Sequence, residues 1–221
     1  IMVFGDSMWD NFREEDGIAA RLSAYNTDFK VYNCAYGAST SAELYNDHKE
    51  TNNKTLIRLS EIVTFKDGNV TPLGFTHNAL ERANYFRTNY FVIAYGINDL
   101  FEGVPLKNDY FPQDRGCLTG AYKYAIENLR EKHPEARIVL VSPTYVTSNA
   151  KNNYGSVDDY IKTIQGIANQ YGTLYFDPTS ALGMTTSNCS EFVADGIHLN
   201  ASARATYAEA LGKLILQDWN R

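Results

Sequence analysis

Four short blocks of this sequence carry residue types that can act together on a carbonyl carbon. Gly5-Asp6-Ser7 closes an apolar run and leaves a serine hydroxyl at its edge, with glycine letting the backbone turn sharply. Asp195-Gly196-Ile197-His198 sets a carboxylate three residues before an imidazole. One turn can bring that carboxylate to the ring Nδ1–H, fixing the tautomer and leaving Nε2 to take a hydroxyl proton. Gly37 can offer a backbone N–H without side-chain obstruction, and Asn98, in Gly96-Ile97-Asn98-Asp99, an amide N–H. These two donors could face negative charge developing on an acyl oxygen. The chemistry is attack by Ser7, with His198 as base, Asp195 orienting it, and an acyl-enzyme hydrolysed by water.

Taken singly, each block has a plainer reading. Gly-Asp-Ser and Asn-Asp are common turns and caps, and Asp99 could simply cap a turn or hold the Asn98 loop. Gly37 could do no more than turn a strand into a helix, and an exposed histidine is usually inert. The case for chemistry is that several strand ends deliver such residues to one edge.

Those strands are expected at Ile1–Phe4, Phe29–Cys34, Tyr90–Tyr95, Arg137–Ser142 and Thr173–Phe176. Helical patterns fall near Asn11–Tyr25, Ser41–His48, His77–Tyr85, Leu118–Lys132, Val157–Tyr171 and Ala201–Trp219. Phe91-Val92-Ile93-Ala94 and Ile138-Val139-Leu140-Val141 are continuously apolar, as in strands covered on both faces. Strand–helix alternation adds to that picture, and the expected fold is a three-layer α/β/α sandwich around a mostly parallel five-stranded sheet. Two segments break the rhythm. Glu61–Leu73, with Asp67-Gly68 between β-prone residues, reads as a hairpin. Leu100–Gly116, punctuated by Pro and Gly after the third strand, is a candidate substrate wall, since such folds place sites beyond the carboxyl ends of strands.

The bulk properties narrow the classes. A chain of 221 residues with 44% apolar composition can bury a core as one domain, residues 1–221, without disulfide or metal support. Its net charge of −6 comes without a basic cluster, so nucleic acid and anionic membranes are not expected partners. No apolar run approaches the roughly 20 residues of a transmembrane segment. The three cysteines, Cys34, Cys117 and Cys189, cannot all pair within the chain, and Cys34 reads as a small core residue. His48, His77 and His133 lack metal-ligand spacing, so no metal is expected. There is neither a phosphate-binding glycine loop nor Gly-x-Ser-x-Gly. The Asn-x-Ser/Thr triplets at Asn53, Asn69, Asn188 and Asn200 are no more than chance supplies. Ile1 already lies in an apolar run, as in a module excised from a longer chain. A signal peptide would lie upstream, and a secreted or virion-borne setting is favoured over a cytoplasmic one.

Gly5-Asp6-Ser7, Gly37, Gly96-x-Asn98-Asp99 and Asp195-x-x-His198, in this order from the first strand to the last helix, resemble the SGNH hydrolases, also called the GDSL family. The resemblance implies a flavodoxin-like fold and a serine esterase needing no cofactor. It makes Ser7, His198 and Asp195 the triad, and Ser7, Gly37 and Asn98 the oxyanion hole. Met8-Trp9-Asp10 stands where many members carry small or β-branched residues before a glycine. Trp9, Tyr36, Phe101 and Tyr145, with Tyr110 and Phe111, are aromatics near the blocks whose flat faces suit sugar rings. The expected substrate is a small-molecule or glycan ester, with carbohydrate O-acetyl esters first. Short-chain lipid esters, thioesters, acyl transfer and a non-hydrolytic surface-binding module are the alternatives.

Overall fold

A computed structural model describes residues 1–44, 54–66 and 75–221 of the chain. In chain order the strands are β1 (Met2–Gly5), β2 (Tyr32–Asn33), β3 (Tyr90–Ala94), β4 (Arg137–Val141), β5 (Lys151–Asn152), β6 (Gly155–Ser156) and β7 (Leu174–Phe176). The helices are α1 (Ser7–Asp10), α2 (Ile18–Tyr25), α3 (Leu56–Val63), α4 (Phe75–Arg82), α5 (Ile97–Phe101), α6 (Leu118–Lys132), α7 (Val157–Tyr171), α8 (Pro178–Leu182) and α9 (Ala201–Trp219).

The central sheet has the order β2-β1-β3-β4-β7, and every neighbouring pair is parallel. Winding proceeds to one side of β1 and then the other. The crevice between the carboxyl ends of β1 and β3 is therefore the switch point, where folds of this topology bind ligands.

The continuously apolar strands are explained by which layer each residue meets. Met2, Phe4, Phe91, Ile93, Ile138 and Leu140 point into one core with α3, α6 and α7. Val3, Val92, Ala94, Val139 and Val141 point into the other with α2 and α9. Period-two alternation persists, but both faces are dry. Truncating one such side chain, Phe91 for example, costs about 3–5 kcal/mol. Among the described residues no helix is long and apolar enough to cross a membrane.

Three local expectations change. The helix expected over Asn11–Tyr25 forms only from Ile18, because the chain first doubles back tightly. A Cβ on Gly17 would stand 1.7 Å from the Phe12 carbonyl oxygen. The hairpin expected over Glu61–Leu73 begins instead inside α3. Leu56, Ile57, Leu59, Ile62 and Val63 form its buried face, and the Thr55 side chain caps it by accepting from Arg58 N. Asp67-Gly68 and the rest of that hairpin lie outside the described residues. Among the described residues the antiparallel strand pair is β5–β6, closed where Asn152 Oδ1 accepts from the N–H groups of Tyr154 and Gly155. In the helix expected over Ser41–His48, Ser41–Leu44 is not helical, and the remainder lies outside the described residues.

Candidate active site

Ser7 is the first residue of α1, immediately beyond β1. Asp6 caps this turn, its Oδ1 accepting the Met8 N–H at 2.9 Å. Asp6 is buried, and burial pushes its carboxyl up to about 7 against the pull of the Met8 N–H, with Asp99 nearby adding to the rise. The turn that carries Ser7 is thus anchored in the core at its start and open at Ser7.

His198 arrives from the loop before α9. That loop is closed by an isolated antiparallel bridge between Val193 and Leu199 and by Ala194 N donating to the His198 carbonyl. At its tip Gly196 takes φ 92°, where a Cβ would also strike Thr147 Oγ1 at 2.7 Å. This sharp turn lets Asp195 serve two purposes. Its Oδ1 accepts the N–H groups of Ile197 at 3.0 Å and His198 at 2.7 Å. Its Oδ2 lies 2.7 Å from His198 Nδ1. The imidazole bond, then these two main-chain donors, hold the Asp195 carboxyl well below the usual carboxylate range. His198 Nε2 lies 2.8 Å from Ser7 Oγ. A hydrogen-bonded line therefore runs Ser7–His198–Asp195, with Nδ1 directed at a carboxylate and Nε2 at a hydroxyl. This geometry can draw the proton from a serine as it attacks.

The opposite wall is built by the segment after β2 and by the start of α5. Asp99, buried, accepts Ser41 N at 3.0 Å, Ser41 Oγ at 2.7 Å and Ala42 N at 3.2 Å. It stitches the two strand exits together. Burial raises the Asp99 carboxyl, and the Ser41 donors oppose the rise. Asn98 Nδ2 donates to the Ser39 carbonyl at 3.0 Å, so its amide lies along this wall. Gly37 also lies beside Ser7, a Cβ there falling 4.0 Å from Ser7 Cβ. Its N–H, however, is engaged. It donates to Asp10 Oδ2 at 2.7 Å, a corrected role for a donor expected to face the oxyanion.

The aromatic set separates. Trp9 is fully buried, edge-on to Tyr207 at 5.7 Å, and is a core residue where the sequence suggested a substrate contact. The reason is register: on a one-turn helix whose Ser7 faces the crevice, Trp9 points back between the sheet and α9. Tyr36 is half-buried beneath Lys54 Nζ, and Tyr145 is half-buried with its hydroxyl donating to Asp158 at 2.6 Å. Phe101, Tyr110 and Phe111 remain exposed, at 43%, 90% and 70%, on and beyond the helix that carries Asn98. Further residues at the site were given no role in the sequence reading. Asn11 Nδ2 lies 3.1 Å from His198 Nε2, and the Phe12 ring stands edge-on to the imidazole, backed by Arg204. Asp10 and Arg13 are described below. Their only sequence signal was proximity to Ser7.

The model of the GDSL-like lipase/acylhydrolase family matches residues 3–205. No curated protein matches the sequence. Among solved structures, a possible lipase from Chitinophaga pinensis superposes with a TM-score of 0.68 at 17% identity, over 98% of this chain and 97% of that one. Est24, a carbohydrate acetylesterase from Sinorhizobium meliloti, superposes at 0.66 with 13% identity over the same shares. The aryl esterase of M. smegmatis does so at 0.65 with 14% identity, again over 98% and 97%.

Proposed function

Since the chain belongs to the GDSL-like lipase/acylhydrolase family, we propose that it is a serine esterase cutting small acyl esters, carbohydrate O-acetyl groups first. The observation that carries the proposal is the unbroken line from Ser7 Oγ through His198 to Asp195, with contacts of 2.8 and 2.7 Å. Ser7 attacks the carbonyl carbon while His198 Nε2 takes its proton. Asp195 holds the imidazolium, and His198 returns the proton to the leaving alcohol. Water then repeats the sequence on the acyl-enzyme.

The oxyanion is read as held by the Ser7 N–H and the Asn98 side chain. The third donor is the Ala38 N–H, because the Gly37 N–H is committed to Asp10. Ala38 is exposed, has φ 53°, and its N–H meets no acceptor among the described residues.

A short acyl group draws on the carbohydrate acetylesterase among the structures of like fold. The carbohydrate preference draws on Phe101, Tyr110 and Phe111, whose exposed rings can stack on a sugar. The test compares wild type and Ser7→Ala on p-nitrophenyl acetate, p-nitrophenyl octanoate and an acetylated glycan. The proposal expects acetate and glycan to be cut, octanoate poorly, and Ser7→Ala to be inert. Preference for octanoate overturns the acetyl assignment, inactivity on all three overturns the esterase, and activity in Ser7→Ala displaces the nucleophile.

A further inference from the structure

The turn that carries Ser7 also carries a clamp on the facing loop. Asp10, three residues beyond the nucleophile, divides its two oxygens. Oδ1 accepts Arg13 Nε at 2.7 Å and lies 2.6 Å from Arg13 Nη2. Oδ2 accepts the Gly37 N–H at 2.7 Å. Arg13 in turn donates to the carbonyls of Asn33 at 3.0 Å and Ala35 at 2.7 Å. The end of β2, the nucleophile turn and Gly37 thus form one closed circuit. Lys54 Nζ holds the Gly37 carbonyl at 3.0 Å, so both polar atoms of that residue are fixed.

The residue held next in line is Ala38. A left-handed conformation costs an L-residue roughly 1–2 kcal/mol, and it persists only where the surroundings over-determine it. Ser39 holds Ala38 from one side, its Oγ donating to the Tyr36 carbonyl at 2.6 Å, and the clamp on Gly37 holds it from the other. The clamp lies immediately before the strained residue, on the nucleophile's own helix.

We propose that Asp10, braced by Arg13, is a positioning residue that holds Gly37 and Ala38 so that the Ala38 N–H faces the oxyanion. This rests on the esterase assignment above. The residue types follow from the task. Gly37 N–H and the Arg13 fork both need acceptors, and a carboxylate supplies two. An asparagine supplies one acceptor, and its N–H would be set against one of these donors. Arg13 also neutralises a negative charge that, unpaired beside the hole, would oppose the developing oxyanion.

The experiment uses Asp10→Ala and Asp10→Asn with three readouts: the Gly37 amide proton by NMR, steady-state kinetics on p-nitrophenyl acetate, and the rate preference for that ester over its thionoester. Hole donors discriminate oxygen from sulfur, because sulfur is a weak acceptor, whereas a general loss of order does not. In both variants the Gly37 amide should shift upfield and exchange faster. Turnover should fall roughly 10–100-fold, with KM little changed, short of the 10²–10³ typical of losing a whole donor. The oxygen-over-sulfur preference should fall with it. An unmoved Gly37 amide removes the clamp. Unchanged turnover, or a fall that leaves the oxygen preference intact, removes the positioning role. A wild type inert on esters sinks the esterase assignment and the catalytic consequence with it, while the amide readout still decides whether the clamp exists.

Discussion

Asp195→Asn tests whether Asp195 sets the imidazole tautomer. In the wild type Asp195 Oδ1 is occupied by two main-chain N–H groups, at 3.0 and 2.7 Å, and Oδ2 faces His198 Nδ1 at 2.7 Å. An asparagine keeps its one oxygen on the two main-chain donors, since two bonds outweigh one. Its Nδ2 then faces the imidazole and requires an acceptor there, which moves the ring proton to Nε2, opposite Ser7. Recovering the productive tautomer sets N–H against N–H and forfeits a hydrogen bond, about 1–3 kcal/mol. Attack further loses the charge-assisted bond to the imidazolium, about 1.5–3 kcal/mol. The Asp195 side chain is 57% exposed, so water compensates part of both. The expected loss in kcat is therefore on the order of 10²–10³ rather than the full sum. The loop bonds survive, so the melting temperature should move by no more than about 2 °C. Steady-state kinetics on p-nitrophenyl acetate, with a thermal melt of the same sample, gives both numbers. A kcat within about five-fold of wild type, at unchanged stability, would refute the claim that Asp195 selects the tautomer.

Asn98→Ala should cost roughly 10²–10³ in turnover with the fold intact, and an unaltered rate would take Asn98 out of the hole. Gly196→Ala meets both a positive φ and the Thr147 hydroxyl, so kcat should fall because the Asp195–His198 offset is lost; a fully active variant would show the loop tolerates another path. Trp9→Ala should lower stability by about 3–5 kcal/mol and leave substrate preference alone, whereas Phe111→Ala should leave stability alone and weaken glycan over p-nitrophenyl acetate; denaturant melts and paired assays separate the two, and the reverse pattern contradicts both placements. Folding lifts Asp6 to about 7, so the folded chain keeps a proton that the unfolded chain releases above about pH 4. Stability should therefore fall as pH rises from about 4 to 7 and then level off. Asp6→Asn keeps an oxygen for the Met8 N–H and should flatten that slope; parallel slopes in melts of the two proteins would rule it out.

What could be read from the sequence was whatever depends on local offset or on a run of one residue type. The spacing of Asp195 and His198 needs only a tight turn with a glycine inside it, and the loop supplies one. The dry runs of β3 and β4 pointed to strands covered on both faces, which called for helical layers and placed the strand exits at one edge. Segments whose form depends on a distant partner were not legible. Residues 11–17 carry a helical pattern, but Arg13 is bound to carbonyls on and beyond β2 and Gly17 lies against Phe12. Trp9 offered a ring close to Ser7, and only the register of a one-turn helix decides that it faces the core.

The same limit applies to the wall opposite Ser7. In the sequence Gly37 is the obvious donor, because glycine places an N–H without obstruction and tolerates any backbone conformation. Yet the positive φ falls on Ala38, where an L-residue is strained, and the Gly37 N–H is bonded to Asp10. Strain at an alanine needs holding contacts, and Ala38 has one on each side: the Asp10 carboxylate on Gly37, and the Ser39 hydroxyl on the Tyr36 carbonyl. Residue type alone therefore points to Gly37, whose N–H the structure commits to Asp10. If Ser7 attacks from α1 and Asp10 holds the opposing wall from the same turn, then a shift of α1 moves attacking atom and oxyanion donor together. Their separation is preserved where independent anchors would let it drift, and a misplacement of about 1 Å can cost on the order of 10²-fold in rate.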